Sequence, residues 1–209
     1  MPKRQPIIRK VRDYYTEKIL TYGPTPQGVD WNSASSQQLR FEQLMKIIPG
    51  RKSPFSILDY GCGYGSLAEF LGVNYSSFSY TGYDISEAMI AHAKKNHRSK
   101  KNHWITDLRN LSPQDYAAAS GVLNVKLDFT YKEWEEHVML VLHQLNDFGS
   151  KGFSFNALTK YSDKPMMKEN LFYADPEFLF DYCKKNFSKY VALLHDYPLY
   201  EFTILVKKF

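Results

Sequence analysis

Three carboxylates and three alternating glycines are the residues here whose types and spacing point to chemistry. Asp59, Gly61, Gly63 and Gly65 fall in one run, Asp59-Tyr60-Gly61-Cys62-Gly63-Tyr64-Gly65. Glycine at alternate positions permits positive φ angles and removes Cβ atoms from a turn. A ligand can then lie against bare main chain where a helix begins. A dinucleotide turn reads G-x-G-x-x-G/A beneath a pyrophosphate. Position 66 is Ser instead, and Asp59 would repel an anion that seeks the positive end of a helix. A ligand carrying an ammonium and a sulfonium gains from that same carboxylate. Asp84 closes Ser79-Tyr80-Thr81-Gly82-Tyr83-Asp84-Ile85-Ser86, where an acid can accept both hydroxyls of a ribose. Asp107 follows His103-Trp104-Ile105-Thr106, placed to accept from an adenine amine.

Strands and turns must carry these groups to one rim. Ile57-Leu58-Asp59-Tyr60 reads as a buried strand that turns through the glycines into a helix. Ser86 is the predicted N-cap of the next helix, before Glu87-Ala88-Met89. Alternating strand and helix units fill Phe55 to Asn124, with a fourth strand at Tyr116-Ala117-Ala118-Ala119. An amphipathic helix is predicted over Tyr131 to Phe148, facing inward with Trp134, Val138, Val141, Leu142 and Leu145. A fifth strand spans Lys151 to Leu158. Asp175-Pro176 is the predicted start of the last helix, as N-cap and N1. Tyr190 to Leu194 and Glu201 to Lys207 read as a closing hairpin around Pro198. Before all this, apolar spacing predicts helices over Ile7 to Leu20 and Ala34 to Ile48, the second capped by Asn32 or Ser33. A Gly- and Pro-rich loop separates the two.

The glycine turn and the ordered acids at 59, 84 and 107 resemble the class I S-adenosylmethionine-dependent methyltransferases, from about residue 50 onward. The resemblance implies a Rossmann-like α/β fold: a seven-stranded, mostly parallel sheet with one antiparallel strand and helices on both faces. It implies S-adenosylmethionine as cofactor and S-adenosylhomocysteine as product. Residues 1–50 are expected to form a helical lid on a methyltransferase domain of residues 51–209. Cofactor contacts are expected from Asp59, Gly61, Gly63, Gly65, Asp84, Ile85, Asp107, Leu108 and Ser120. Trp31 in the lid could shield the sulfonium, and Arg40 could fork onto the methionyl carboxylate. The Asp/Asn-Pro-Pro-Tyr motif of many amine methylases is replaced by Ser120-Gly121-Val122-Leu123-Asn124, which weakens a role in methylating nucleobases.

Substrate contacts are expected from the same rim, at Asn124, Tyr161 and Tyr197. His195, with Asp196 beside it, is the candidate general base. The expected reaction is methyl transfer to O or N of a small molecule or a glycan or sugar-nucleotide acceptor. A catalytically weak partner subunit or regulator that binds S-adenosylmethionine or S-adenosylhomocysteine, and a protein or RNA methyltransferase, are the alternatives.

Composition narrows the setting. A length of 209 residues suits one α/β domain, which could act as monomer or homodimer. The charge of +5 raises a nucleic-acid reading. One basic cluster, Lys94 to Lys101, is expected at a helix C-terminus on a solvated edge, where cations complement the dipole. Nothing resembles an RNA-binding appendage. No apolar run reaches membrane-spanning length and no signal peptide is apparent. Two cysteines suit free thiols in the cytoplasm. His137 and His143 lack metal spacing, so no metal is expected.

Overall fold

The computed structural model describes residues 4–30 and 33–209. Trp31, and Asn32 as a possible cap, lie outside the described residues.

Two helices precede the sheet, α1 (Arg4–Tyr22) and α2 (Ala34–Leu44). Ser33 caps α2 by accepting from the Ser36 amide, and a short 3-10 turn over Met45–Ile47 ends the segment. The predicted helix to Ile48 therefore tightens one turn early.

Strands β1 (Phe55–Tyr60), β2 (Phe78–Tyr83), β3 (Asn102–Ile105), β4 (Gln114–Ala119) and β5 (Gly149–Thr159) run parallel. Helices α3 (Ser66–Asn74), α4 (Glu87–Asn96) and α5 (Tyr131–Phe148) connect them. A two-residue strand, β6 (Tyr173–Ala174), adds to β5, and α6 (Pro176–Asn186) follows. The chain closes as the hairpin β7 (Tyr190–Leu194) and β8 (Glu201–Lys207). The strand order is β3-β2-β1-β4-β5-β8-β7, with β8 antiparallel to both neighbours. β7 is thus parallel to the main set. Seven strands form the continuous sheet, and β6 is an eighth that sequence periodicity did not reveal.

Side chains alternate across each strand, so β1 divides the core. Leu58 and Tyr60 face the layer of α5 and α6, with Trp134, Val138, Leu142 and Leu179. Phe55 and Ile57 face the layer of α2, α3 and α4, with Phe41, Leu67, Leu71 and Ile90. Trp134 is 1% exposed and donates its indole N–H to the Leu123 carbonyl at 2.7 Å. Burying an apolar side chain of this kind contributes roughly 1.5–3 kcal/mol. A capping box between Thr130 and Glu133 fixes where α5 starts, worth about 1 kcal/mol.

One boundary differs with consequence. The third strand ends at Ile105, so Thr106, Asp107 and Leu108 lie beyond it.

Candidate active site

The loop between β1 and α3 carries the glycine run. Gly61, Gly63 and Gly65 take φ angles of +77°, +54° and +93°. The amides of Gly61 and Cys62 both donate to the Tyr83 carbonyl, at 2.8 and 2.9 Å, folding the turn onto the end of β2. A Cβ on Gly61 would stand 2.5 Å from a methyl of Val122, and one on Gly63 would stand 3.1 Å from Val29. Gly61 and Gly63 line a cavity together with Asp59, Asp84, Ile85 and Ser120. Gly65 does not. Its Cβ would strike the Trp104 ring at 2.5 Å, so this glycine admits an indole and not a ligand.

Two of the three predicted acids meet in this cavity. Asp59 is 3% exposed and accepts from the Tyr80 hydroxyl at 2.6 Å. Burial, with the Asp84 charge adding to it, pushes its carboxyl up to about 7 against the Tyr80 hydrogen bond. Asp84 accepts from the Gly63 and Ser86 amides, each at 2.9 Å, tying the glycine loop to the start of α4. Burial raises its carboxyl to about 6, opposed by those two bonds. Buried acids without cations are costly unless protonated or met by a ligand. Among the described residues neither has a salt-bridge partner. The Ser120 Oγ, also on the cavity wall, is buried with no hydrogen-bond partner among the described residues.

Helix α1 covers this cavity with Ile8, Val11 and Tyr15. Tyr14 donates to Asp30 at 2.5 Å and Lys18 pairs with Asp30 at 2.8 Å. The Thr16 and Ser86 hydroxyls lie 2.7 Å apart, pinning the helix to the loop that bears Asp84.

A second, larger cavity adjoins the first. Asn124, Tyr197, Arg40, Glu201 and Tyr200 are on its wall. Tyr15, Val29 and Gly121 line both cavities. Behind Gly121 runs a buried chain. Its amide donates to Asn156 Oδ1 at 2.7 Å, and Asn156 Nδ2 donates to Glu201 at 2.8 Å. Glu201 takes the Arg40 fork, Nε at 2.9 Å and Nη2 at 2.6 Å.

The other expected residues fall in different places. Asp107 does not reach the cavity. Its side chain is 46% exposed and held by Arg109, two residues on, which holds its carboxyl below the ordinary value. Leu108 packs against the core and lines neither cavity. Arg40 borders the larger cavity, its guanidinium engaged by Glu201, and is absent from the glycine-loop cavity. His195 follows β7 on the expected rim, yet it is exposed and lines neither cavity, resting near the rings of Tyr161 and Phe202. Tyr161 is 57% exposed and donates to Glu177. Asn124 and Tyr197 do line the second cavity, though Asn124 Oδ1 accepts from the Leu158 amide and the Tyr197 hydroxyl pairs with Thr203. Sequence reasoning weighed His137 only for metal spacing. It lines the first cavity, 8% exposed, three residues after Trp134 on the inward stripe of α5. That helical spacing was the available signal. Among the described residues no cluster of His, Cys, Asp or Glu could hold a metal.

Residues 57–146 match the family model described as a methyltransferase domain. Over 165 residues the chain is 48% identical to a Mycobacterium tuberculosis protein named "Putative methyltransferase Rv1506c", covering 78% of this chain and 99% of that one. The chain belongs to the class I S-adenosylmethionine-dependent methyltransferases. The methyltransferase fold is shared with magnesium protoporphyrin IX methyltransferase from Synechocystis PCC 6803, solved with S-adenosylhomocysteine (TM-score 0.70, 16% identity, 96% of this chain and 99% of that chain). It is shared too with the plantazolicin methyltransferase BpumL (TM-score 0.59, 15% identity, 98% and 99%). In this methyltransferase, as in open α/β sheets generally, the cavities lie beyond the carboxyl ends of the strands.

Proposed function

We propose that the chain binds S-adenosylmethionine in the glycine-loop cavity and methylates an oxygen or nitrogen of a small molecule or glycan-type acceptor in the larger one. The observation that carries this is the pair of adjoining cavities on one rim, with a shared wall at Tyr15, Val29 and Gly121. The residues fit the cofactor's chemistry. Asp59 and Asp84 are buried acids that suit an ammonium and a ribose, and the Ser120 hydroxyl is a buried group in need of a partner. When bound, S-adenosylmethionine supplies a methyl group on a positively charged sulfur.

The chain's own work is then to orient and to exclude water. Gly61 and Gly63 let the loop close on the cavity, and α1 with the turn at Val29 covers it. Holding two reactants in line supplies about 7–11 kcal/mol of barrier reduction. Six tyrosines on the larger cavity, among them Tyr173 and Tyr200, present flat apolar faces with hydroxyl tips. Such walls suit a hydroxylated or aromatic acceptor of small size. The two cysteines are free and buried, which suits a reducing compartment such as the cytoplasm.

The test is to incubate the chain with [methyl-3H]S-adenosylmethionine and a fractionated cell extract. Label is expected in the small-molecule or glycan fraction. Label confined to RNA or protein would overturn the acceptor class. Cofactor binding without any transfer would favour the silent partner subunit.

A further inference from the structure

Among the described residues Tyr15 is the one on the shared wall whose side chain ends in a polar atom; Val29 is apolar and Gly121 has no side chain. Its neighbour Tyr14 and Lys18 both commit to Asp30, at 2.5 and 2.8 Å. Tyr15 makes no such commitment. Its ring meets Tyr14 edge-on at 5.2 Å, and among the described residues its hydroxyl has no hydrogen bond. The helix that bears it is pinned on both sides, through Thr16 to Ser86 and through Asp30. A rigidly held phenol, its hydroxyl unengaged among the described residues, thus stands where the two compartments meet.

We propose that the Tyr15 hydroxyl abuts the donor methyl group and accepts a hydrogen bond from the acceptor's attacking O–H or N–H, holding the two in line. This rests on reading the cavities as donor and acceptor compartments. Burial, with the charges of Asp30 and Asp84, holds the phenol well above its ordinary range, so it stays protonated at neutral pH. Tyr15 therefore aligns the nucleophile and does not take its proton: as the O–CH3 or N–CH3 bond forms and the S–CH3 bond breaks to give the neutral thioether, the proton stays on the methylated acceptor and leaves from it to solvent. A neutral phenol also leaves the sulfonium its charge, whereas a phenolate there would stabilise the reactant.

The experiment uses [methyl-13C]S-adenosylmethionine as the probe, with calorimetry and NMR on the whole chain. Tyr15→Phe keeps the ring and the packing. It is expected to bind the cofactor within about threefold of the unaltered chain, as the loss of one neutral hydrogen-bonding group allows. The bound methyl resonance is expected to move, because the oxygen beside it is gone. Leu20→Ala, on the same helix but exposed and on neither cavity wall, is expected to leave that resonance in place. An unmoved resonance in Tyr15→Phe, or an equal movement in Leu20→Ala, would overturn the proposal. Absence of binding by the unaltered chain would instead remove the two-compartment reading on which it stands, and the proposal with it.

Discussion

Asp59 shows what burial does to one functional group. It has a single hydroxyl partner, Tyr80, and its carboxyl is raised from 3.8 to about 7 chiefly by desolvation. A raised acid favours the folded state while protonated. That contribution is present below the unfolded value of 3.8 and is lost as pH climbs through about 7. Asp84, raised to about 6, acts in the same direction. Without ligand, Asp59→Asn should therefore melt above the unaltered chain at pH 8 by at least about 3 °C, the shift that about 1 kcal/mol produces at this size. The difference should vanish near pH 4. A cationic ligand reverses the sense, since it needs the ionised acid. Cofactor affinity should rise with pH through about 7 in the unaltered chain, and calorimetry in buffers of different ionisation heat should detect proton release. A flat profile would mean that Asp59 does not meet the cation. Some of this was legible in the residues themselves: acids at 59 and 84 stand at strand ends beside glycines, which are local patterns. Asp107 looked equivalent, but the strand stops at Ile105 and Arg109 captures the carboxylate.

Among the elements, α1 lies over the glycine-loop cavity with Ile8, Val11 and Tyr15 on its wall. Asp30 joins it to the following turn and sits at φ +59°, a left-handed position. Asn tolerates that conformation as well as Asp does. Asp30→Asn should then report the lost charge alone. Amide hydrogen exchange in α1 should quicken by about 10- to 150-fold, the equivalent of the 1.5–3 kcal/mol typical of charged hydrogen bonds. Exchange in β1 and β4 should stay unchanged; equal acceleration there would show that Asp30 supports the whole fold and not the cover. The helices and most strands could be read from apolar spacing and caps, because those signals span a few residues. The Arg40–Glu201 pair could not. Its partners lie 161 residues apart, and only the placement of β8 beside β5 brings them together. Gly65 and Gly82 likewise looked like ligand or strand glycines until Trp104 filled the space beside both.

For the molecule as a whole, charge and cavity have separate tasks. The net charge of +5 is carried in part by exposed Lys94, Lys95, Arg98, Lys100 and Lys101, at and beyond the end of α4. Among the described residues the glycine-loop cavity instead presents two carboxylates and no Lys or Arg on its wall. Among the described residues no helix is long and apolar enough to cross a membrane. That division, a basic exterior around an acid-lined recess, favours a compact cation over an anion within the recess. Isothermal titration calorimetry of the folded chain tests it most directly. S-adenosylmethionine and S-adenosylhomocysteine should each bind once per chain, NAD and NADP should not, and Asp84→Asn should weaken both by at least about tenfold, as expected for loss of a charge-assisted contact. No uptake of either adenosyl ligand, or uptake indifferent to Asp84, would contradict the account.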